Sequence, residues 1–150
     1  MSRLTKIKGA TLSKLILIEP TGRRITDPSL DAVRQMILSP PAGYWYETIG
    51  VAILERFDGT SKKRLMVLPS EKHGIYLKYS DEAKQVWLSL EDRGKLTEVV
   101  ECADEWYTSV GLFLPKEKAW VAIREFCRTG NRTVEITWID PAEIPEGGSS

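Results

Sequence analysis

The clearest pattern along the chain runs from Leu114 to Ile139, where helical periodicity gives way to strict alternation. Ala119, Ala122, Ile123 and Phe126 recur three and four residues apart and line one helical face, with Cys127 at its edge. Pro115 suits the first helical turn, where a missing N–H costs nothing, and Glu117 places negative charge near the positive end of the dipole. Arg128 suits the last turn, and Gly130 supplies a left-handed stop. Beyond it Val134, Ile136 and Trp138 alternate with Thr133, Glu135 and Thr137, which predicts a half-buried strand over 133–139. Burial of Ile123 and Phe126 is worth roughly 1.5–3 kcal/mol each.

Earlier segments follow the same logic. Residues 1–10 are basic and polar, and are expected to be loosely held. Thr11–Glu19, centred on Leu15, Ile16, Leu17 and Ile18, predicts a strand covered on both sides, turned by Pro20-Thr21-Gly22. Asp27-Pro28 reads as a cap and first position of a helix through about Leu38, burying Leu30, Val33, Met36 and Ile37, with Pro40-Pro41 ending it. Tyr44–Phe57 predicts a long strand, and Asp58-Gly59 a hairpin returning through Leu65, Met66, Val67 and Leu68. A polar turn over 69–74 precedes a strand over 75–79. Alternation of Val86, Leu88 and Leu90 with Trp87 and Ser89 fits a strand better than the short helix that Ser80, Ala83, Val86 and Leu90 would allow. Leu96–Ala103 follows as a strand, and Asp104–Gly111 as a loop or frayed edge.

Strands joined by short turns are antiparallel neighbours as a rule. The expected fold is therefore α+β: a single domain over residues 1–140, with one curved, mostly antiparallel sheet of about six to seven strands and two helices packed on it. Residues 141–150, ending Gly-Gly-Ser-Ser, are expected to form a flexible tail. With 150 residues the chain can bury about two-thirds of its unfolded surface.

Charge narrows the function classes. Lysine plus arginine equals aspartate plus glutamate at 21 each, whereas a dedicated nucleic-acid binder is usually basic. No apolar run approaches the ~20 residues of a membrane span, and Lys14 breaks the N-terminal apolar run too early for a signal peptide. A cytoplasmic location with reduced thiols is expected, and no partner membrane or nucleic acid. Neither a metal nor another cofactor is expected, since one histidine and two distant cysteines lack zinc-site spacing and no glycine-rich phosphate loop is present.

Two features bear on binding. Between residues 81 and 105, eight carboxylates stand against three cations, Lys84, Arg93 and Lys95. Asp81, Glu82, Glu101, Asp104 and Glu105 are the candidates for an acidic face that meets a basic partner, beside the plainer reading of a solvated sheet rim. Trp106 and Tyr107, next to those carboxylates, are the candidate aromatic anchors. Tyr44-Trp45-Tyr46 is a second aromatic group. An enzyme would draw on Cys102 or His73, but His73 falls in a polar turn and Cys127 on an apolar helix face. An adaptor or scaffold role is the further alternative, followed by a nucleic-acid binder using Arg3, Lys6, Lys8 and Lys14.

The stretch VWLSLEDRGKLTEVVE, a loop, and LFLPKEKAWVAIREFCRTGNRTVEITWID resembles the Imm-one immunity family of bacterial polymorphic toxin systems over about residues 74–139. The shared pattern is Glu98-Val99-Val100 after a glycine turn, then Leu114-Pro115 opening a helix that carries Glu117, Ala119, Ala122 and Phe126. That helix closes on Thr129-Gly130 and leads to a strand ending at Trp138. The resemblance implies a non-enzymatic antidote that binds a cognate toxin domain encoded by the neighbouring gene, commonly a nuclease or nucleic-acid deaminase. It carries over no catalytic residue, and no contact position either, because the toxin-binding surface differs between members.

Overall fold

The computed structural model describes residues 13–40, 51–103 and 106–145. In chain order the elements are β1 (Ser13–Ile18), β2 (Arg24–Thr26), α1 (Leu30–Leu38), β3 (Ala52–Asp58), β4 (Ser61–Ser70) and β5 (Gly74–Asp81). There follow β6 (Val86–Leu90), β7 (Val99–Ala103), β8 (Trp106–Ser109), β9 (Phe113–Leu114), α2 (Lys116–Thr129) and β10 (Thr137–Ile139). Eight strands make one antiparallel sheet in the order β10-β6-β5-β4-β3-β1-β2, with β9 also paired to β5. β7 and β8 form a separate two-stranded sheet. The α+β reading is therefore right. The strand count is higher than expected because β2, β8 and β9 are too short to leave an alternating pattern.

Alternation sorts the side chains onto two faces. Leu17, Leu54, Leu65 and Tyr79 stand in register across β1, β3, β4 and β5. They belong to one core with Val33, Met36 and Ile37 of α1 and Ala119, Ala122, Ile123 and Phe126 of α2, so both helices cover this face. On the opposite face Leu68, Tyr76, Leu88 and Leu90 form a second core with Leu96, Leu112 and Phe113, against which Val100 of β7 packs.

The sheet divides at Ser89. β6 pairs with β5 only from Lys78 to Ser80, and β9 takes over the same edge at Ile75 and Tyr76. Leu77 falls in the gap. Its N–H donates to Ser89 Oγ at 2.9 Å, and that hydroxyl donates in turn to the Leu112 carbonyl at 2.8 Å, with Ser89 fully buried. One side chain thus replaces the missing ladder bond and ties in the segment before β9.

A second junction anchors the C-terminal end of α2. Arg56 on β3 donates from Nη1 to the Cys127 carbonyl at 2.7 Å, from Nε to Asp58 Oδ2 at 3.0 Å and from Nη2 to Ser13 Oγ at 3.1 Å. A cation at the last carbonyls both satisfies them and opposes the helix dipole. Gly130, at φ +79°, ends the helix there, and a Cβ on it would lie 2.9 Å from Arg56 Cδ. Burial would raise the pKa of Asp58, but the Ser13 hydroxyl, Arg56 and Lys63 outweigh it and hold the carboxyl below its usual 3.8.

Several expectations are corrected. Helix α1 is capped by Ser29, whose Oγ accepts from Ala32 N; Asp27 instead accepts the Leu15 N–H at 3.1 Å, and Leu30 is 38% exposed. The last strand is short because Thr133 Oγ1 accepts from Glu135 N and the Thr133 carbonyl from Trp138 Nε1, so 133–136 turn and Val134 is 97% exposed. Part of the expected loop over 104–111 is β8. Pro141–Glu143 form a capped 3-10 turn joined to Arg93 through Glu143, not the start of a tail. Residues 1–10, the first half of the expected strand from Tyr44 with the Tyr44-Trp45-Tyr46 group, and 146–150 lie outside the described residues.

Replacing Ser89 by alanine leaves a buried N–H and a carbonyl short of a partner, and is expected to cost about 2 kcal/mol in urea unfolding. Because the folded pKa of Asp58 is depressed, its contribution is complete above the unfolded value and is lost as pH falls through the folded one. Between about pH 5 and pH 3 the native chain should therefore lose more stability than an Asp58→Asn variant.

Candidate functional site

The β7–β8 hairpin carries Glu101, Trp106 and Tyr107, and local bonds set the position of its base. After β6 the chain turns at Glu91 and Asp92, whose N–H groups both donate to the Gly111 carbonyl at 2.8 and 3.0 Å. A Cβ on Gly111 would stand 2.1 Å from the Asp92 carbonyl oxygen, so only glycine permits this approach. Asp92 Oδ1 caps the following 3-10 turn by accepting from Gly94 N at 2.8 Å. Val110 N donates to the Glu98 carbonyl at 2.7 Å and closes the base of the hairpin, while Ser109 Oγ donates to the Leu96 carbonyl at 2.6 Å.

Alternation then gives the hairpin two unlike sides. Val100 packs on the second core, and its cross-strand partner Thr108 is fully buried. The outward side carries Val99, 41% exposed, Glu101, and Tyr107, 47% exposed. Glu101 and Tyr107 are direct cross-strand partners, and the register shifts between Glu101 and Ala103. An irregularity of this kind re-aims side chains at a strand end. Apolar groups exposed beside a carboxylate form a surface suited to contact with another protein.

No family model and no curated protein matches this chain.

Of the seven residues singled out in the sequence, Glu101, Trp106 and Tyr107 come together in this hairpin. Asp104 and Glu105 lie outside the described residues, in the connection between β7 and β8. Asp81 and Glu82 sit elsewhere, at the end of β5 and in the turn that follows it. Asp81 is half-buried, opposite Lys63, and spends Oδ1 on the Gln85 N–H at 3.1 Å. Lys62, Arg64 and Lys84 line the same groove as these two acids. The acidic run is therefore divided, and Glu91 within it is paired with Lys118 at 2.8 Å.

His73 lines an open groove with Asp92 and Lys95, its ring 6.0 Å from that of Phe113. Cys127 is in the helix-covered core, and burial pushes its thiol up to about 12 against a small opposing pull from Arg56. Cys102 belongs to β7. Among the described residues no group of three histidine, cysteine, aspartate or glutamate side chains could hold a metal ion, and no helix is long and apolar enough to cross a membrane.

A cluster that sequence reading missed lies on the sheet. Glu55 of β3 is buried with its side chain only 4% exposed, yet three cations reach it: Arg64 at 3.1 Å, Lys62 at 3.3 Å and Arg24 at 3.7 Å. The signal was present. The two-residue Gly59-Thr60 turn fixes the β3–β4 register and puts Glu55 opposite Arg64, but β2 and Arg24 could not be placed without the fold.

Cys127 is expected to resist iodoacetamide in the native protein at about pH 8, and to react once the chain is unfolded in urea. Mass analysis of the peptide that contains it reads this directly.

Proposed function

We propose that this chain is an immunity protein that binds and neutralises a cognate toxin domain encoded beside it. The toxin would be a nuclease or nucleic-acid deaminase, blocked by occlusion of its active or substrate-binding site. Two things support the reading. The stretch that resembles the immunity family spans β5 to β10, and so includes the hairpin, α2 and the strand that follows it. The observation that carries most weight is the hairpin's outward side, where Val99 and Tyr107 are exposed around Glu101 on a base fixed by backbone bonds. A hairpin held at its base by backbone bonds has less conformational freedom to lose on binding, and tyrosine is a residue type that anchors protein interfaces.

The chemistry of the partner follows from the same surface. A toxin that handles nucleic acid needs a basic groove for phosphates. Glu101 on the hairpin, with Asp104 and Glu105 in its connection, offers carboxylates to such a groove while Tyr107 and Trp106 supply contact area. Stoichiometric covering of one surface by another requires no turnover, and an interface of about 1,600 Å² would suffice.

Co-expression tests the reading. The chain should restore growth of cells that make the toxin domain encoded by the adjacent gene, and should co-purify with it. Tyr107→Ala should weaken that complex about 30-fold, chiefly through faster dissociation. Glu101→Lys should slow association in low salt. Failure to protect, with both proteins folded, would end the proposal.

A further inference from the structure

The cluster around Glu55 is more than a neutralised buried carboxylate. Register places Glu55 on the face opposite the helices, between Ile16 of β1 and Arg64 of β4. The adjoining rows of that face carry Lys14, Phe57 and Lys62 on one side, and Arg24, Ile18, Ile53, Met66 and Lys78 on the other. This half of the face is thus dominated by cations. Glu55 Oε2 alone accepts from Arg64 Nε at 3.2 Å and lies within 3.3 Å of Lys62 Nζ and 3.1 Å of Arg64 Nη2.

One negative charge satisfies one or two partners, but here it gathers three. The side chains of Arg24, Lys62 and Arg64 remain 57%, 44% and 49% exposed, whereas that of Glu55 is 4% exposed. An arginine has five N–H donors and a lysine three, so each cation keeps donors that Glu55 does not use. Like charges held this close repel, and the buried carboxylate offsets that cost. The result is a surplus of positive charge with its side chains already oriented.

We infer that the Arg24–Lys62–Arg64 cluster, organised by Glu55, is a receptor for paired carboxylates on an acidic segment of a protein partner. Arginine forks match carboxylate oxygens two at a time, and orientation by Glu55 removes much of the entropy cost of ordering them. Nucleic acid fits less well. Phe57 lies under Lys62, 5.6 Å from its Nζ, and offers no open ring for a base. Asp81 and Glu82 line the groove beyond Lys62 and Arg64 and disfavour any long anionic chain there, so the partner that fits is a short acidic segment and not a continuous phosphate backbone. The inference does not rest on the toxin reading, since it concerns the β2–β3–β4 end of the sheet, not the outward side of the hairpin, and any partner with the required acids.

The full-length chain titrated with hexaglutamate and with a twelve-nucleotide thymidylate strand tests it. Hexaglutamate should bind and shift the side-chain N–H resonances of Arg24 and Arg64, at least about tenfold more tightly than the oligonucleotide. Glu55→Gln separates a built receptor from general attraction: it makes the surface more positive, so simple charge accumulation predicts tighter binding, whereas loss of the organising carboxylate predicts binding about five-fold weaker. Arg64→Lys keeps both charge and fold and should also weaken binding about five-fold through loss of the fork. Equal or tighter binding by Glu55→Gln, unchanged binding by Arg64→Lys, or preference for the oligonucleotide would each overturn the inference. Should Glu55→Gln fail to fold, Arg64→Lys decides alone.

Discussion

Alternation along β4 and β5 sends apolar side chains to both sides of the sheet: Leu65, Val67 and Leu77 one way, Leu68 and Tyr76 the other. A strand of this kind cannot be left with one face in water, because the apolar area on each side must be covered. Two helices cover one side. The chain between β6 and α2 has to supply the other cover, and this requirement fixes where Leu96, Val100, Leu112 and Phe113 must sit. Placement of the hairpin is therefore a consequence of core burial. What it presents outward is left over from that task.

Single polar side chains hold these layers in register. Ser89 occupies the place where two strands share one edge, and Arg56 ties β1, β3 and the end of α2 through three donors. In both cases a buried backbone group that regular pairing leaves without a partner is satisfied by a neighbouring side chain, as buried polar groups generally must be. Glu55 follows a different rule. Its partners outnumber its needs, and the excess is directed at solvent.

The fold was legible where a periodic pattern is long and its ends are marked. Helix α2 from Pro115 to Gly130, the Asp58-Gly59 hairpin and the strands β5 and β6 could be read from spacing and turn residues alone. Legibility failed where one side-chain bond overrides a pattern. Thr133 turns a segment that alternates like a strand, and Asp27 binds β1 instead of capping the helix it precedes. The short strands β2 and β9 exist only because a longer neighbour offers them an edge, which no local pattern records. For the candidate surface, Glu101, Trp106 and Tyr107 fall in one hairpin because they are close along the chain. Counting charge could not reveal that Asp81 belongs to another strand, because charge counted along the chain ignores direction in space.

The hairpin's division into a packed side and an outward side also bears on how such a protein can change over generations. Val100 and Thr108 are constrained by the core, Gly111 by its close approach to Asp92, and the closing bonds at Gly111 and Glu98 run through backbone atoms. Val99, Glu101 and Tyr107 are exposed and belong to neither core. Substitutions at these three positions would change the exposed side while the sheet beneath stays intact, so this surface can vary in single steps without passing through an unfolded ancestor.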